Sequence, residues 1–308
     1  MTATVFIDGA VGTTGLEIRD RLAGRADISL ALLAEDRRKD PQARREALND
    51  ADFVILCLPD DAAREAVSLI ENSRTRLIDA SSAHRVAAGW TYGFPELPGQ
   101  ADIIANAMRV ANPGCYPTGF LALVAPLVTA GLVPADLPLS VNATSGYSGG
   151  GKAMIAEFEA GAPITAFRAY ALGLAHKHIA EMTQHAGLTH APIFAPAVAN
   201  AYRGMVVEVP LHLHALPGRP SLAAIEDVLR AAFDGSKLVS VASGDIGAVD
   251  IEENAGTDRL TLRVCGNDAF GHARLVATLD NLGKGAGGAA VQNLNIMAGV
   301  DPVAGLVF

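Results

Sequence analysis

Cys115 is the residue whose surroundings in the sequence point most clearly to chemistry. It follows the turn-forming residues Asn112-Pro113-Gly114 and precedes an apolar run over 120–128. That run has the length and spacing of a buried helix, so Cys115 is expected at or near the helix N-terminus. The unpaired N–H groups and the positive dipole end at such a terminus stabilise a thiolate. We therefore predict that Cys115 is a nucleophile, although an isolated cysteine is more often a small buried hydrophobe.

Two histidines and a glutamate follow later in the chain, at His176, His178 and Glu181. On a helix, His178 and Glu181 share a face because they lie three residues apart. A histidine beside a carboxylate suits general acid–base catalysis near neutral pH, and the sequence leaves the choice between the two histidines open. The alternatives are structural histidines and a zinc site, but no Cys-x-x-Cys or His-x-x-x-His partner supports a metal.

A stretch of small residues over 145–152 is expected to form a loop that ends at Lys152. Such a loop presents several backbone N–H groups to an anion, and the ammonium adds charge; a flexible connector is the alternative. Arg203, before a strand-like segment, is a candidate clamp for a substrate carboxylate or simply an exposed arginine. The candidate substrate-binding residues are Asn112, Ser145, Gly146, Ser148, Gly149, Lys152 and Arg203.

A glycine-rich turn near the start of the chain predicts a dinucleotide-binding site. Strand-like residues 4–8 run into Gly9-x-x-Gly12-x-x-Gly15, and helical spacing follows over 16–22. The glycines let the backbone approach a pyrophosphate at the helix N-terminus; a plain tight turn is the alternative. Basic residues 37–39, after the second strand, favour NADP over NAD unless they are only a solvated charge run. The candidate cofactor-binding residues are Gly9, Gly12, Thr13, Thr14, Gly15, Arg37, Arg38, Leu58, Pro59, Ser81, Ser82 and Gln292.

The elements that must position these residues fall into two halves. Alternating strands and helices before Cys115 predict a Rossmann-type, doubly wound α/β domain. Longer β segments, such as 205–213 and 259–266, predict an α+β second domain with a mixed or antiparallel sheet. A helix after the glycine-rich bend near 283–288 is expected to pack back onto the first domain. We therefore predict an NADP-binding domain at 1–114 and 285–308, and a catalytic, substrate-binding and oligomerisation domain at 115–284.

Composition narrows the class of protein. The chain has 308 residues, of which 50% are hydrophobic and 19% charged, and a net charge of −9. This acidic balance argues against nucleic-acid and anionic-membrane partners. Three scattered cysteines do not form a disulfide framework, and no apolar stretch is long enough for a membrane span. We expect a cytoplasmic protein.

Together these features imply one reaction class. A thiolate attacks an acyl carbon, and hydride passes between a nicotinamide and the resulting thioester or thiohemiacetal. Histidine manages protons, and backbone amides hold the developing oxyanion. An acyl phosphate substrate would place its phosphate in the 145–152 loop.

Several motifs together resemble those of the N-acetyl-γ-glutamyl-phosphate reductases of the shorter type, within the aspartate-semialdehyde-dehydrogenase-like superfamily. They span nearly the whole chain, at 9–15, 78–85, 92–97, 112–118, 145–152, 176–181, 282–285 and 292–295. The resemblance implies an NADPH-dependent, homo-oligomeric (dimeric or tetrameric) cytoplasmic enzyme of arginine biosynthesis, acting on a small-molecule acyl phosphate. By this resemblance Cys115 is the nucleophile and the acid/base is His178 or His176. Glu181 and Arg203 fall where substrate contacts would lie.

Two other functions remain open from the sequence. A related reductase, such as an aspartate-semialdehyde dehydrogenase, would share the thioester chemistry but accept a different acyl chain. A non-catalytic, NADP-binding redox regulator would bind the cofactor without turnover. The helix-capped cysteine and the predicted anion loop disfavour the regulator, because a sensor needs no acyl-phosphate pocket.

Overall fold

The computed structural model describes residues 2–38, 40–161, 165–244 and 246–308. The chain divides into two compact units. The first unit comprises Met1–Pro95, Gly99–Pro113 and Ala286–Leu306, and the second comprises Glu96–Pro98, Gly114–Gly285 and Val307–Phe308. Among the described residues, no helix combines the length and apolar character needed to cross a membrane.

The first unit is built on a six-stranded parallel sheet. Its strand order is β2-β1-β3-β4-β6-β5. The strands are β1 (Ala3–Asp8), β2 (Ile28–Ala31), β3 (Phe53–Leu56), β4 (Arg76–Asp79), β5 (Thr91–Tyr92) and β6 (Arg109–Ala111). The helices are α1 (Thr13–Leu22), α2 (Pro41–Asp50), α3 (Asp60–Ser68), α4 (Gln100–Asn106) and α9 (Gly288–Ala298).

Both faces of this sheet are buried, which explains why its strands are almost continuously apolar. Alternate residues of a strand point to opposite faces, and in β1 Val5 and Ile7 belong to one core while Phe6 belongs to the other. The first core also contains Val291 and Leu294 of α9, so the C-terminal helix packs onto the first unit as the sequence predicts. The predicted doubly wound α/β fold is confirmed.

The second unit is built on a seven-stranded mixed sheet in the order β11-β12-β13-β10-β7-β9-β8. The strands are β7 (Ser140–Gly146), β8 (Phe167–Ala169), β9 (Ile193–Ala199), β10 (Met205–His212), β11 (Val239–Val241), β12 (Leu260–Asn267) and β13 (His272–Leu279). The helices are α5 (Cys115–Thr129), α6 (Gly151–Phe158), α7 (Ile179–His185) and α8 (Leu222–Ala232). The described residues also form two 3-10 turns, Tyr147–Gly150 and Leu213–Ala215, and a π-helical turn, Gly283–Gly287. The predicted α+β domain with a mixed sheet is confirmed.

Helix α5 forms the centre of the second unit's core. Its residues from Tyr116 to Leu127 are all buried, and it contacts β10, β13, α7 and α8. A helix that is apolar on every side must be covered on every side. Cys115, the first residue of α5, precedes this fully covered stretch and is half-buried.

Candidate active site

Cys115 is the first residue of α5, and Gly114 is the N-cap. The structure therefore agrees with the expected helix N-terminus. The N-cap has no side chain to bind the first backbone N–H groups, and the Thr118 hydroxyl donates to the Gly114 carbonyl at 2.9 Å. Cys115 is half-buried, so part of its surface is accessible to solvent. This arrangement favours an anionic sulfur by the helix dipole.

Glu181 links the start of α5 to the histidine pair. The Gly114 N–H donates to Glu181 Oε2 at 3.2 Å, and Glu181 Oε1 lies 3.9 Å from His178 Nε2. Glu181 is 1% exposed and His178 is 6% exposed. His178 is the N-cap of α7 instead of lying within the helix as expected, but the spacing of three residues still brings the two side chains together. One carboxylate thus lies between the peptide N–H that precedes Cys115 and a buried imidazole.

An aromatic cluster surrounds the two histidines. The His176 and His178 rings are 4.6 Å apart, and the ring of Tyr116 lies 6.2 Å and 5.9 Å from them, respectively. The Tyr170 hydroxyl donates to the Tyr116 oxygen at 3.2 Å. Burial raises the pKa of Tyr170 to about 12, and the charge of Cys115 adds to this rise. Burial likewise raises the pKa of Tyr116, which follows Cys115 in α5, so both tyrosines remain neutral hydroxyls.

The segment 145–152 differs from the open loop that the sequence predicts. It forms a 3-10 turn followed by α6, and Lys152 is solvent-exposed on that helix. The backbone N–H groups of Gly146, Tyr147 and Ser148 donate to the carbonyls of Gly204, Ala201 and Tyr202 at 2.8–3.0 Å. These three donors are thus occupied by the neighbouring turn, because buried N–H groups require partners.

The segment also supplies two buried hydroxyls, on Ser145 and Ser148. The Ser145 hydroxyl donates to the Gly146 carbonyl at 2.9 Å, whereas Ser148 Oγ accepts from Asn281 Nδ2 at 2.9 Å. A Cβ on Gly149 would lie 2.9 Å from Ser145 Oγ. A side chain at position 149 would therefore crowd the Ser145 hydroxyl.

The residue pair Asp280-Asn281, directly after β13, organises the region around Arg203. Arg203 Nε lies 2.7 Å from Asp280 Oδ2, and the Gly204 N–H donates to Asn281 Oδ1 at 2.9 Å. Asp280 has no exposed surface. Burial raises the pKa of its carboxyl above the usual value, and a hydrogen bond from Leu282 N–H and the charge of Arg203 oppose part of that rise. The predicted carboxylate clamp, Arg203, is therefore itself oriented by a carboxylate.

The π-helical turn places Gly285 against Cys115. A Cβ on Gly285 would lie only 2.8 Å from Cys115 Cβ, so no other residue type fits there without movement. The Gly285 N–H donates to the Asp280 carbonyl at 2.9 Å. Lys284 is 1% exposed, and its Nζ lies 2.7 Å from Glu96 Oε1. A buried ion pair thus fixes the turn beside Cys115.

Asn112 belongs to the first unit, and its side chain is held there on both sides. Its Nδ2 donates to the Ala286 carbonyl at 3.0 Å, and its Oδ1 accepts from Asn293 Nδ2 at 3.1 Å. The Asn112 carbonyl accepts from Arg85 Nε at 3.0 Å. Asn112 is 1% exposed. Its side chain shapes the turn that leads into Gly114.

The glycine-rich turn has the form that a dinucleotide requires. Gly9 has φ +92°, and a Cβ there would lie 2.3 Å from the Cys57 carbonyl oxygen. Gly12 is the N-cap of α1, its N–H donates to the Gly9 carbonyl at 3.0 Å, and Thr13 and Thr14 begin the helix. The backbone at the helix N-terminus is therefore uncovered by side chains, which fits a pyrophosphate.

A cavity of about 800 Å³ opens at this turn, within the first unit. Among the predicted cofactor residues it is lined by Gly9, Arg38 and Leu58. Arg19 and Arg44 also line it, although the sequence analysis did not select them. This volume is within the usual range for pockets that hold large ligands. Glycine backbone and guanidinium groups in one cavity fit a dinucleotide phosphate.

The other predicted cofactor residues are not part of the lining of that cavity. The hydroxyls of Ser81 and Ser82 donate to the carboxylates of Asp79 and Asp60 at 2.7 and 2.8 Å. Arg37 is exposed, 3.8 Å from Asp40. Pro59 is the N-cap of α3, Gln292 is a buried residue of α9, and Lys39 of the basic cluster lies outside the described residues. Their contact with a cofactor stays a prediction.

Family models match both units. The NAD binding domain of semialdehyde dehydrogenases matches residues 4–106, and the dimerisation domain matches residues 115–281. The fold is similar to aspartate semialdehyde dehydrogenase II of Vibrio cholerae complexed with ASA (TM-score 0.73, 16% identity, 97% of this chain and 98% of that chain). It is also similar to aspartate semialdehyde dehydrogenase with NADP from Candida albicans (TM-score 0.68, 13% identity, 97% and 99%). The fold and the family models define a semialdehyde-dehydrogenase-type protein with an NAD(P)-binding domain.

Sequence relatives narrow this class. The chain is 50% identical to N-acetyl-gamma-glutamyl-phosphate reductase 2 of Pseudomonas putida, over 97% of each chain. It is 52% identical to N-acetyl-gamma-glutamyl-phosphate reductase of Brucella anthropi, over 97% of this chain and 99% of that protein. The chain belongs to the N-acetyl-gamma-glutamyl-phosphate reductase family. The resemblance in the motifs is thereby confirmed.

Proposed function

We propose that this chain reduces N-acetyl-γ-glutamyl phosphate to N-acetylglutamate 5-semialdehyde and phosphate, with NADPH as reductant. The observation that carries the proposal is the position of Cys115 at the start of α5, with Glu181 between that turn and His178. Family membership supplies the substrate class. The two together favour acyl-phosphate reduction over binding without turnover.

Cys115 is the nucleophile of the first half-reaction. Its thiolate sulfur forms a bond to the acyl carbon, and the bond from that carbon to the phosphate oxygen breaks, so that inorganic phosphate leaves. The α5 N-terminus stabilises the charge on sulfur before attack. Ser145, Gly146, Ser148, Gly149 and Lys152 are our candidates for holding the phosphate, and Asn112 and Arg203 for holding the rest of the substrate.

The histidine–glutamate pair manages the proton of the second half-reaction. When bound, NADPH supplies the hydride that reduces the thioester carbonyl to a thiohemiacetal. Any proton that the oxyanion of that species takes up must be removed again before the carbon–sulfur bond breaks, the aldehyde leaves and the Cys115 thiolate returns. His178 is the favoured acid/base because its Nε2 lies 3.9 Å from the Glu181 carboxylate, and His176 is the alternative.

We assign the cofactor to the first unit and the chemistry to the second, which corresponds to domains at 1–114 with 285–308 and at 115–284. A homo-oligomer, dimeric or tetrameric, is supported by the match of residues 115–281 to the dimerisation domain of semialdehyde dehydrogenases. A cytoplasmic location agrees with the free thiols of Cys57, Cys115 and Cys265. The cytosol keeps thiols reduced.

The reaction is tested most directly in reverse. Purified protein is mixed with N-acetylglutamate 5-semialdehyde, phosphate and NADP, and NADPH formation is followed by absorbance. We expect phosphate-dependent turnover that falls by about 10³-fold or more in Cys115→Ser. Cys265→Ser, in β12, is the matched control and should retain activity.

Two results would reject the proposal. Activity retained by Cys115→Ser would exclude the thioester mechanism. Faster turnover of aspartate semialdehyde than of the acetylated substrate would instead indicate a related reductase with a different acyl chain.

A further inference from the structure

Arg19 occupies a position in the cofactor cavity that the proposed function has not yet used. It lies on α1, one helical turn after Gly15, and it is half-buried. Its side chain lines the 800 Å³ cavity together with Arg38 and Arg44. Helix α1 begins at the glycine-rich turn, so a guanidinium here is within the same cavity as the expected pyrophosphate site.

The three arginines differ in how their charges are balanced. Arg44 lies 2.8 Å from Asp8, which is 6% exposed, so this pair is largely removed from water. Arg38 lies 2.7 Å from Glu35, whose side chain is 92% exposed. A pair with so exposed a partner is worth little and separates easily. Arg44 is therefore committed to the protein, whereas Arg38 is available to a ligand.

Arg19 has no ion-pair partner in the part of the chain that the structure describes. One further carboxylate, Asp36, lines the cavity, but Asp36 is exposed and its charge is screened by solvent. The half-buried Arg19 is screened less. An anionic group in this cavity would therefore be attracted to the Arg19 guanidinium and, next, to Arg38.

We propose that Arg19, together with Arg38, binds the 2′-phosphate of NADP and thereby sets the preference for NADP over NAD. A guanidinium presents paired N–H donors that match a phosphate, and it retains its charge at any physiological pH. The 2′-phosphate is the group that distinguishes the two cofactors, so two arginines on it decide selectivity. Arg37, which the sequence analysis grouped with Arg38, is not part of the lining.

The test uses ligands that differ only in the 2′-phosphate. Binding of 2′,5′-ADP and 5′-AMP is measured by calorimetry, and binding of NADPH and NADH by fluorescence, for wild type and Arg19→Ala. Alanine has the highest helix propensity, so α1 should still form. We expect 2′,5′-ADP and NADPH to bind about 10- to 100-fold more weakly, because the loss of a hydrogen bond to a charged group weakens binding by about this factor. Binding of 5′-AMP and NADH should change by less than about twofold.

Arg45→Ala is the matched control. Arg45 lies on α2, pairs with Glu71 and is not part of the cavity lining. Its replacement by alanine therefore removes the same charge from the same unit as Arg19→Ala, but outside the cavity. Its nucleotide affinities should equal those of wild type. An equal loss in Arg45→Ala would show a net-charge effect and overturn the proposal.

The remaining outcomes are separable. Two results for Arg19→Ala would overturn the role of Arg19 but not the cofactor. One is an unchanged affinity for 2′,5′-ADP, and the other is an equal loss of affinity for 2′,5′-ADP and 5′-AMP. The assignment rests on the cofactor of the proposed function, and a wild-type protein that binds neither NADPH nor 2′,5′-ADP would overturn that cofactor as well. Reverse-direction turnover is a separate measurement, so the two failures are distinguishable.

Discussion

The contact between Gly285 and Cys115 makes a single added methyl group a sensitive probe of the active site. In Gly285→Ala, the new Cβ would lie 2.8 Å from Cys115 Cβ and 3.0 Å from the Asp280 carbonyl oxygen. Non-bonded carbon atoms are most stable at about 3.5–4.0 Å, so one side of the 2.8 Å contact must move by about 0.7 Å or more. Lys284, held by Glu96, limits movement of the turn, so Cys115 is the side expected to yield.

The size of the effect follows from that displacement. A misplacement of about 1 Å costs roughly 100-fold in rate when it affects an attacking atom. We therefore expect kcat of Gly285→Ala to fall about 10- to 100-fold. Overpacking should lower the free energy of unfolding by about 1–3 kcal/mol, which leaves the protein folded at assay temperature.

The assay is reverse-direction turnover, with urea unfolding measured on the same samples. Gly247→Ala is the matched control, because a Cβ at Gly247 would have no atom within 4 Å, and it should behave as wild type. Wild-type kcat in Gly285→Ala would refute the reasoning, since it would mean that the methyl group is accommodated without moving the nucleophile. An equal loss in Gly247→Ala would refute it too.

Three further changes test the surroundings of the site. Glu181→Gln keeps an acceptor for the Gly114 N–H but removes the charge beside His178. The kcat should therefore fall about 10- to 100-fold, while the thermal midpoint stays close to that of wild type. An unchanged kcat would argue against an acid–base role for the pair. Tyr170 has its pKa raised to about 12 by burial, above the ordinary value near 10, so its contribution to stability is complete below pH about 10 and is lost as the pH rises towards 12. The free energy of unfolding of Tyr170→Phe should consequently fall less between those pH values than that of wild type. Urea unfolding at a series of pH values measures this fall, and equal falls in the two proteins would contradict the argument. Lys284→Met leaves the buried Glu96 without its cation, so the free energy of unfolding measured with urea should fall by about 3–5 kcal/mol. The double variant Lys284→Met/Glu96→Gln should recover part of that loss. A single variant as stable as the double variant would contradict the buried ion pair.

Strand β13 illustrates what sequence patterning missed. Local patterning predicts strands at β10 and β12 but not at His272–Leu279, although β13 pairs with both over eight residues each. Exposed and buried residues alternate only at its start, at His272, Ala273 and Arg274, and the rest is buried. Its identity as a strand depends on its two neighbours, which a local pattern does not contain. The strands β5 and β8 are only 2 and 3 residues long, too short for an alternating pattern to show.

The candidate residues that were missed share a non-local origin. Asp280 orients Arg203 from 77 residues further along the chain, and Glu96 reaches Lys284 across 188 residues. The polar pair Asp280-Asn281 follows an apolar stretch, which is a signal for functional residues at the end of a strand. That signal is apparent only once β13 is known to be a strand. Nothing in the spacing around Arg19 indicates that its side chain faces a cavity, since that depends on where β2 and α2 lie.

The sequence by itself determined the features that rest on local backbone chemistry. The position of Gly9 after a short strand and the alternation of apolar segments are sufficient to predict the α/β domain and the mixed second domain. The Asn-Pro-Gly turn before Cys115 is sufficient to predict a thiol at a helix N-terminus. Only the tertiary structure decided which polar groups meet. The N–H groups of 146–148 were expected to face an anion and instead bind the turn at 201–204. Backbone propensity acts between neighbours in sequence, whereas buried donors and charges find partners wherever the folded chain brings them.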